Sequence, residues 1–202
     1  MKLLWLWLLL LLPLSSFSQT EEEEEFVLFN LKYPSDTLSV DGIDWEKENL
    51  TSEFTLRGKT QLLYAIKIEN DTTAKLLINE KEKWVVQENI PITGWALRRI
   101  DKDVIFSEFK IKDFDKDGDE DLICWVNSNM NGNVWTIIFL NDQKTQKLVK
   151  LWDSAEETDI WDDPVYDNRK KIIECELYSG VYGFQYKSTY KLNDLEAIPI
   201  LS

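Results

Sequence analysis

The chain has 202 residues, 44% of them hydrophobic and 30% charged, which suits one large domain or two small ones and excludes a disordered chain or a membrane bundle. Its 37 acidic residues against 23 basic ones give a net charge of −14, which argues against nucleic acid as a partner, because that binding depends on Lys and Arg neutralising phosphates. There is no histidine, so Ser-His-Asp and Cys-His catalysis, His-ligated zinc and a histidine general base are all excluded.

Lys2 is followed by an apolar run over residues 3–14, interrupted only by Pro13. As a helix this run would span about 18 Å, short of the ~30 Å hydrocarbon core of a bilayer. Ser16 and Ser18 put small residues at −3 and −1 of a cleavage after Ser18, and the whole pattern predicts a secretory signal peptide over residues 1–18. No cysteine lies near that cleavage point, so a lipid anchor is not expected. Residues 19–25 form an acidic leader, in which Glu21 to Glu25 act as a solvated, self-repelling spacer. The expectation is a secreted chain, periplasmic or at the cell surface, with no membrane span after cleavage and monomeric. Asn49 and Asn70 head glycosylation sequons that matter only in a host that glycosylates.

From residue 26 onward the apolar pattern is short and mostly of period two, the signature of strands. Strands are predicted over 26–31, 62–68, 74–78, 84–86, 95–100, 105–111, 122–126, 135–140, 148–152, 171–178 and 182–192. In the last of these, Tyr182, Phe184, Tyr186, Tyr190 and Leu192 share one face and are expected to be buried, with Gln185, Lys187, Thr189 and Lys191 on the wet face. Only residues 44–53 suggest a helix. Residues 26–202 therefore read as a single all-β domain of meandering antiparallel hairpins. Cys124 and Cys175, the only cysteines, both fall in apolar strand-like runs. Either they form one disulfide in an oxidising compartment or they are two buried thiols; both readings stand.

One unit recurs. Leu76-Leu77-Ile78-Asn79, a short polar turn and Lys83-Trp84-Val85-Val86 are matched about sixty residues later by Ile138-Phe139-Leu140-Asn141, a turn and Lys147-Leu148-Val149-Lys150. Repeated hairpins at such a spacing predict a small β-propeller-like arrangement in place of a single sandwich.

The segment with specific chemistry is Lys112-Asp113-Phe114-Asp115-Lys116-Asp117-Gly118-Asp119-Glu120-Asp121-Leu122, of pattern D-x-D-x-D-G-x-x-D. Asp113, Asp115 and Asp117 can converge on one centre while Gly118 permits the sharp turn. The backbone carbonyl of Asp119 can then point inward and Asp121 can close the shell, completing an oxygen-only Ca2+ site. Two carboxylates roughly 5 Å apart repel by about 3 kcal/mol at an effective dielectric of ~20, so such a loop favours a cation. It is not an EF-hand: the twelfth position is Cys124 and the flanks read as strands.

The run from Phe109 to Ile123 resembles the core of FG-GAP/VCBS-type repeats, in which a calcium loop joins two strands of a propeller blade. The hairpin at Leu76 to Val85 is similar to the one that leads into such a loop, and Asp41-Gly42-Ile43-Asp44 resembles a degenerate second copy. The pattern through Trp135 to Phe139, Pro164 to Asp167, Lys171 to Ile173 and a terminal Tyr-rich hairpin also resembles a group of small bacterial periplasmic propeller-like proteins. Some of those inhibit lysozyme-type cell-wall hydrolases. The resemblance implies bound Ca2+ and adds a basic hydrolase to the possible partners.

Catalysis is not expected. Asp159, Asp162 and Asp163 around Trp161 have the ingredients of a glycosidase, as do Glu174 and Glu176 on one strand face, but in so acidic a chain these read as solvated surface. No nucleophile elbow, P-loop or dinucleotide fingerprint is present. A binding site for a protein or glycan is expected instead on the polar loop Asn127-Ser128-Asn129-Met130-Asn131-Gly132-Asn133, with Asn129 and Asn131 as contacts and Trp161 as an aromatic anchor. The acidic surface would steer a basic protein partner towards it. The other reading is a cell-surface or periplasmic structural domain in which calcium only stabilises the fold.

Overall fold

The computed structural model describes residues 25–30, 50–58, 62–93, 97–101, 104–180 and 184–200, and every regular element among them is a β-strand. The predicted signal peptide, residues 19–24 of the leader, Asn49, the segment Asp41 to Asp44 and Tyr182 lie outside the described residues. No helix among the described residues is long and apolar enough to cross a membrane.

Three sheets form. The first is β2 (Leu50–Thr55), β3 (Leu63–Asn70), β4 (Thr73–Glu80) and β5 (Lys83–Pro91), in chain order. The middle sheet runs β1 (Glu25–Asn30), β7 (Val104–Lys112), β8 (Asp121–Ser128), β9 (Val134–Asp142) and β10 (Lys147–Lys150), with β6 (Leu97–Asp101) on β7 and β12 (Trp161–Asp162) on β9. The last runs β11 (Trp152–Asp153), β16 (Glu196–Pro199), β15 (Phe184–Asn193), β14 (Ile172–Ser179) and β13 (Val165–Asp167). All pairings are antiparallel except the two-residue parallel contact of β11 with β16. Each sheet thus contains one four-strand meander: β2–β5, β7–β10 and β13–β16.

The alternation of side chains decides how the sheets stack. On β9, Ile137 and Phe139 belong to the core shared with the first sheet, among Leu50, Tyr64, Ile66, Leu76 and Ile90. The intervening Ile138 and Leu140 join a second core with Trp161 of β12 and with Ile173, Cys175 and Ala197 of the last sheet. A strand buried on both faces reads as an unbroken apolar run, and Ile137 to Leu140 is one. The two outward faces end the stack in solvated charges. Glu69 bridges Lys67 and Lys75 at 3.0 Å each on the first sheet, and Lys170 meets Glu174 at 3.1 Å and Lys187 meets Glu176 on the last. None of the sheets closes on itself, and no ring of sheets is formed among the described residues.

The repeated hairpins are equivalent in register. Ile78 pairs Val85 and Asn79 pairs Trp84, as Leu140 pairs Val149 and Asn141 pairs Leu148, although the turns differ in length. A third copy, which the sequence reading did not include, closes the last sheet: Leu192 pairs Ala197 and Asn193 pairs Glu196.

Two expectations are corrected, and one open choice is decided. The helix predicted over 44–53 is contradicted at 50–53, which open β2 in register with β3. Leu50 and Phe54, four apart, share a face in either structure, so periodicity alone could not separate them. The aromatic face of β15 is not uniformly buried, for Tyr186 is 61% exposed. Strand β16 reaches β15 only from Tyr190 to Asn193, so nothing from that strand extends to cover Tyr186. Of the two readings left open for Cys124 and Cys175, the structure has the buried free thiols and not the disulfide, with Cys124 in the core facing the first sheet and Cys175 in the core facing the last.

Candidate metal centre

The acidic loop joins β7 to β8, whose pairing from Phe109 with Cys124 to Lys112 with Asp121 sets its two ends side by side. Phe114 is buried in the second core and lies 6.1 Å, ring to ring, from Tyr166, which fixes the loop's first turn. Lys116 (φ 61°) and Gly118 (φ 97°) both take left-handed backbone. A Cβ at Gly118 would meet nothing within 4 Å, so the requirement for glycine is conformational and not steric.

This path brings carboxylate oxygens of Asp113, Asp115 and Asp117 within 4.8 Å of one another. The backbone holds them in place. Asp113 accepts from the N–H groups of Asp117 and Gly118 (both 3.1 Å), Asp115 from Asp117 N (3.2 Å) and Asp117 from Asp119 N (2.8 Å). Burial, and after it the charge of Asp117, pushes the Asp115 pKa up to about 6, and burial raises Asp113 as well. A cluster of hard, convergent carboxylate oxygens is chemically suited to a hard cation.

Asp119 and Asp121, the two remaining predicted ligands, are not in that cluster. With Glu120 they form a buried run that fastens the loop to three other parts of the molecule. The Asp119 carboxylate accepts from the Gln143 side chain, in the turn after β9. Glu120 accepts from Arg57 N (2.6 Å) and Arg57 Nε (2.5 Å), and its own N–H donates to Arg57 O at 2.7 Å, tying the loop to the connection after β2. Asp121 accepts from Phe114 N and Asn141 N, both at 2.8 Å, so each oxygen takes one backbone donor. Gly58 lies close enough that a Cβ there would stand 3.0 Å from Asp119 Oδ1. Sequence reasoning missed Arg57, Glu120, Asn141 and Gln143. Their partners are 20 to 63 positions away, and no local spacing marks them.

Burial outweighs those two hydrogen bonds and pushes the Asp121 pKa up to about 8. Folded Asp115 and Asp121 therefore keep protons that the unfolded chain loses near 3.8. The stability this confers is fully present below the unfolded value and is lost as pH rises, through about 6 for Asp115 and about 8 for Asp121. The chain has no histidine to titrate in the same window. In chelator the melting temperature is expected to fall across that window, and a bound cation is expected to flatten the decline. A chelated midpoint that climbs over the same range would contradict the assignment.

The predicted partner residues divide. Asn129 and Asn131 are exposed, but Asn129 spends its side chain on the loop itself, accepting from Asn131 N (2.9 Å) and Asn133 N (3.2 Å). Trp161 is contradicted as a surface anchor: it is 2% exposed, with its ring edge-on to Tyr190 at 5.2 Å and its Nε1 donating to Leu151 O at 3.2 Å. Pairing of β12 with β9 turns it into the core. Of the acidic side chains near it, Asp159 pairs with Lys150 at 2.7 Å, while Asp162 accepts from Trp135.

No family model, curated protein or solved structure matches the chain.

Proposed function

We propose that the chain is an exported calcium-binding β-domain that acts as a non-catalytic binding module for a basic protein, such as a lysozyme-like cell-wall hydrolase. The observation that carries this reading is the convergence of Asp113, Asp115 and Asp117 within 4.8 Å on a loop with left-handed backbone at Lys116 and Gly118. Those three residues are the cation's ligands, with Asp121 anchoring the loop through Phe114 N and Asn141 N. The resemblance of residues 109–123 to FG-GAP/VCBS repeats supports calcium as the ion. The face-to-face stacking of three four-strand meanders with equivalent hairpins supports a blade-like, propeller-related arrangement. The net charge of −14 supports a basic partner.

A second reading, calcium as a purely structural ion, is favoured by the buried run Asp119 to Asp121, which links the loop to Arg57, Gln143 and Asn141. Inhibition of a lysozyme's muralytic activity by the calcium-loaded chain separates the two: the structural reading expects none.

The cation itself is tested by thermal unfolding of the mature chain in calcium and in chelator, beside Asp117→Ala. Calcium at a hundredfold its Kd should add about 2.7 kcal/mol to wild type and leave the variant unmoved. An equal midpoint with and without millimolar calcium would reduce the loop to an acidic turn.

A further inference from the structure

Beyond the pairs that flank it, the β14–β15 hairpin runs on without support from its own sheet. Strand β13 covers β14 only from Ile172 to Glu174, and β16 covers β15 only from Tyr190 to Asn193, whereas β14 and β15 continue pairing out to Ser179 with Phe184. The five pairs from Cys175–Ser188 to Ser179–Phe184 form a two-stranded arm of roughly 15 Å. Leu177 pairs Tyr186 and Tyr178 pairs Gln185, so the two tyrosines project from opposite faces, and both are exposed. Natural sheets blunt or cover such edges unless they are used.

The arm is braced from one side by the loop between β8 and β9. Asn133, buried, donates from Nδ2 to Tyr178 O at 2.8 Å and accepts from Tyr178 N at 2.7 Å, capping the β14 edge as a neighbouring strand would. The loop is also closed on itself by Asn129 N to Asn133 O and Gly132 N to Asn129 O, both 3.1 Å, and by left-handed Gly132. This rigid loop holds Met130 fully exposed at its tip. A thioether and two phenols presented on pre-ordered backbone, amid Asn and Gly, make a surface with little ordering cost on binding.

Charge selects the occupant. Lys187, the arm's only cation among the described residues, is tied to Glu176. At the base of the arm, Asp162 and Asp163 lie beside Cys175, Asp163 N bonds Val134 O at 3.0 Å, and neither carboxylate forms an ion pair among the described residues. Carboxylates without counter-ions at the base of an arm that exposes two tyrosines suit Lys and Arg, which gain both Coulomb and cation–π attraction.

We propose that the five-pair β14–β15 arm, together with loop 129–133, is the docking site for a cationic protein, which grips the arm on both sides through Tyr178 and Tyr186 and reaches Met130. This rests on the binding-module reading above and replaces Trp161 as its anchor.

The test uses the full mature chain in calcium, with a basic lysozyme and basic ribonuclease A as probes, each also in lysine-acetylated form, and chitin oligosaccharides as a competing ligand. Wild type should bind at least one basic probe, more weakly at high salt and after acetylation. Tyr178→Ser with Tyr186→Ser should weaken that binding by about tenfold or more. Asp163→Asn, which tolerates its left-handed backbone, should slow association. Trp84→Ser, on the far face of the first sheet, should change nothing. Basic-probe binding that survives the tyrosine changes would overturn this docking site and leave the binding-module reading standing. Glycan binding lost in the tyrosine variant, without protein binding, would overturn the cationic occupant. No binding of any probe would overturn both.

Discussion

Replacing Asp121 by alanine is expected to destabilise the chelated protein by roughly 2–6 kcal/mol, at about 1–3 kcal/mol for each buried N–H left without a partner. Those donors are Phe114 N and Asn141 N, one in the loop and one in β9, and both contacts are buried. Asp121→Asn keeps one acceptor and opposes an amide to the other donor, so it should fall between alanine and wild type. The sign reverses for the clustered carboxylates. In chelator, Asp115→Asn removes a raised-pKa group that repels Asp117, and it should be neutral or stabilising above pH 6. In calcium the same change should abolish the ion's stabilisation. Denaturant midpoints with and without calcium read all of these. An Asp121→Ala protein within about 0.5 kcal/mol of wild type in chelator, the range of ordinary surface changes, would remove Asp121 from its anchoring role.

The contrast between Asp115 and Asp121 also shows what sequence can reveal. Ladder spacing and glycine are local features, and they located the loop and its left-handed turn. Burial is not local. The alternation that put Asp113, Asp115 and Asp117 together continues unbroken to Asp119 and Asp121, and nothing in the spacing says that the chain dives under Arg57 and Gln143 after Gly118. The strands were legible for a similar reason: period two fixes which side chains share a face. It does not fix how far a neighbouring strand extends, which is why Tyr190 is half-buried and Tyr186, on the same face, is exposed. Short strands escaped altogether. Two residues of β12 and three of β13 offer no period to detect. Hairpin repetition was visible in two copies, and the third, at Leu192 and Asn193, lacks the apolar run that marked the others.

Trp161 gives the other large expected effect. Set in Asp159-Ile160-Trp161-Asp162-Asp163, it has the surroundings of a solvated loop, yet it pairs Thr136 and fills the core between the middle and last sheets. Trp161→Ala should cost about 3–5 kcal/mol, as large-to-small core changes do, because it opens a cavity beside Tyr190 and strips Leu151 O of its indole donor. Trp161→Phe should cost less, since it keeps most of the ring volume. Affinity of the folded fraction for a basic partner should be unchanged in both. Tyr186→Ser should behave oppositely, keeping stability within about 0.5 kcal/mol while weakening binding. The two residues lie in one sheet stack and are both aromatic, so only this crossed result separates packing from recognition. A Trp161→Phe protein of wild-type stability that had lost its partner would return the anchor to Trp161, and would require the second core to open when the partner binds.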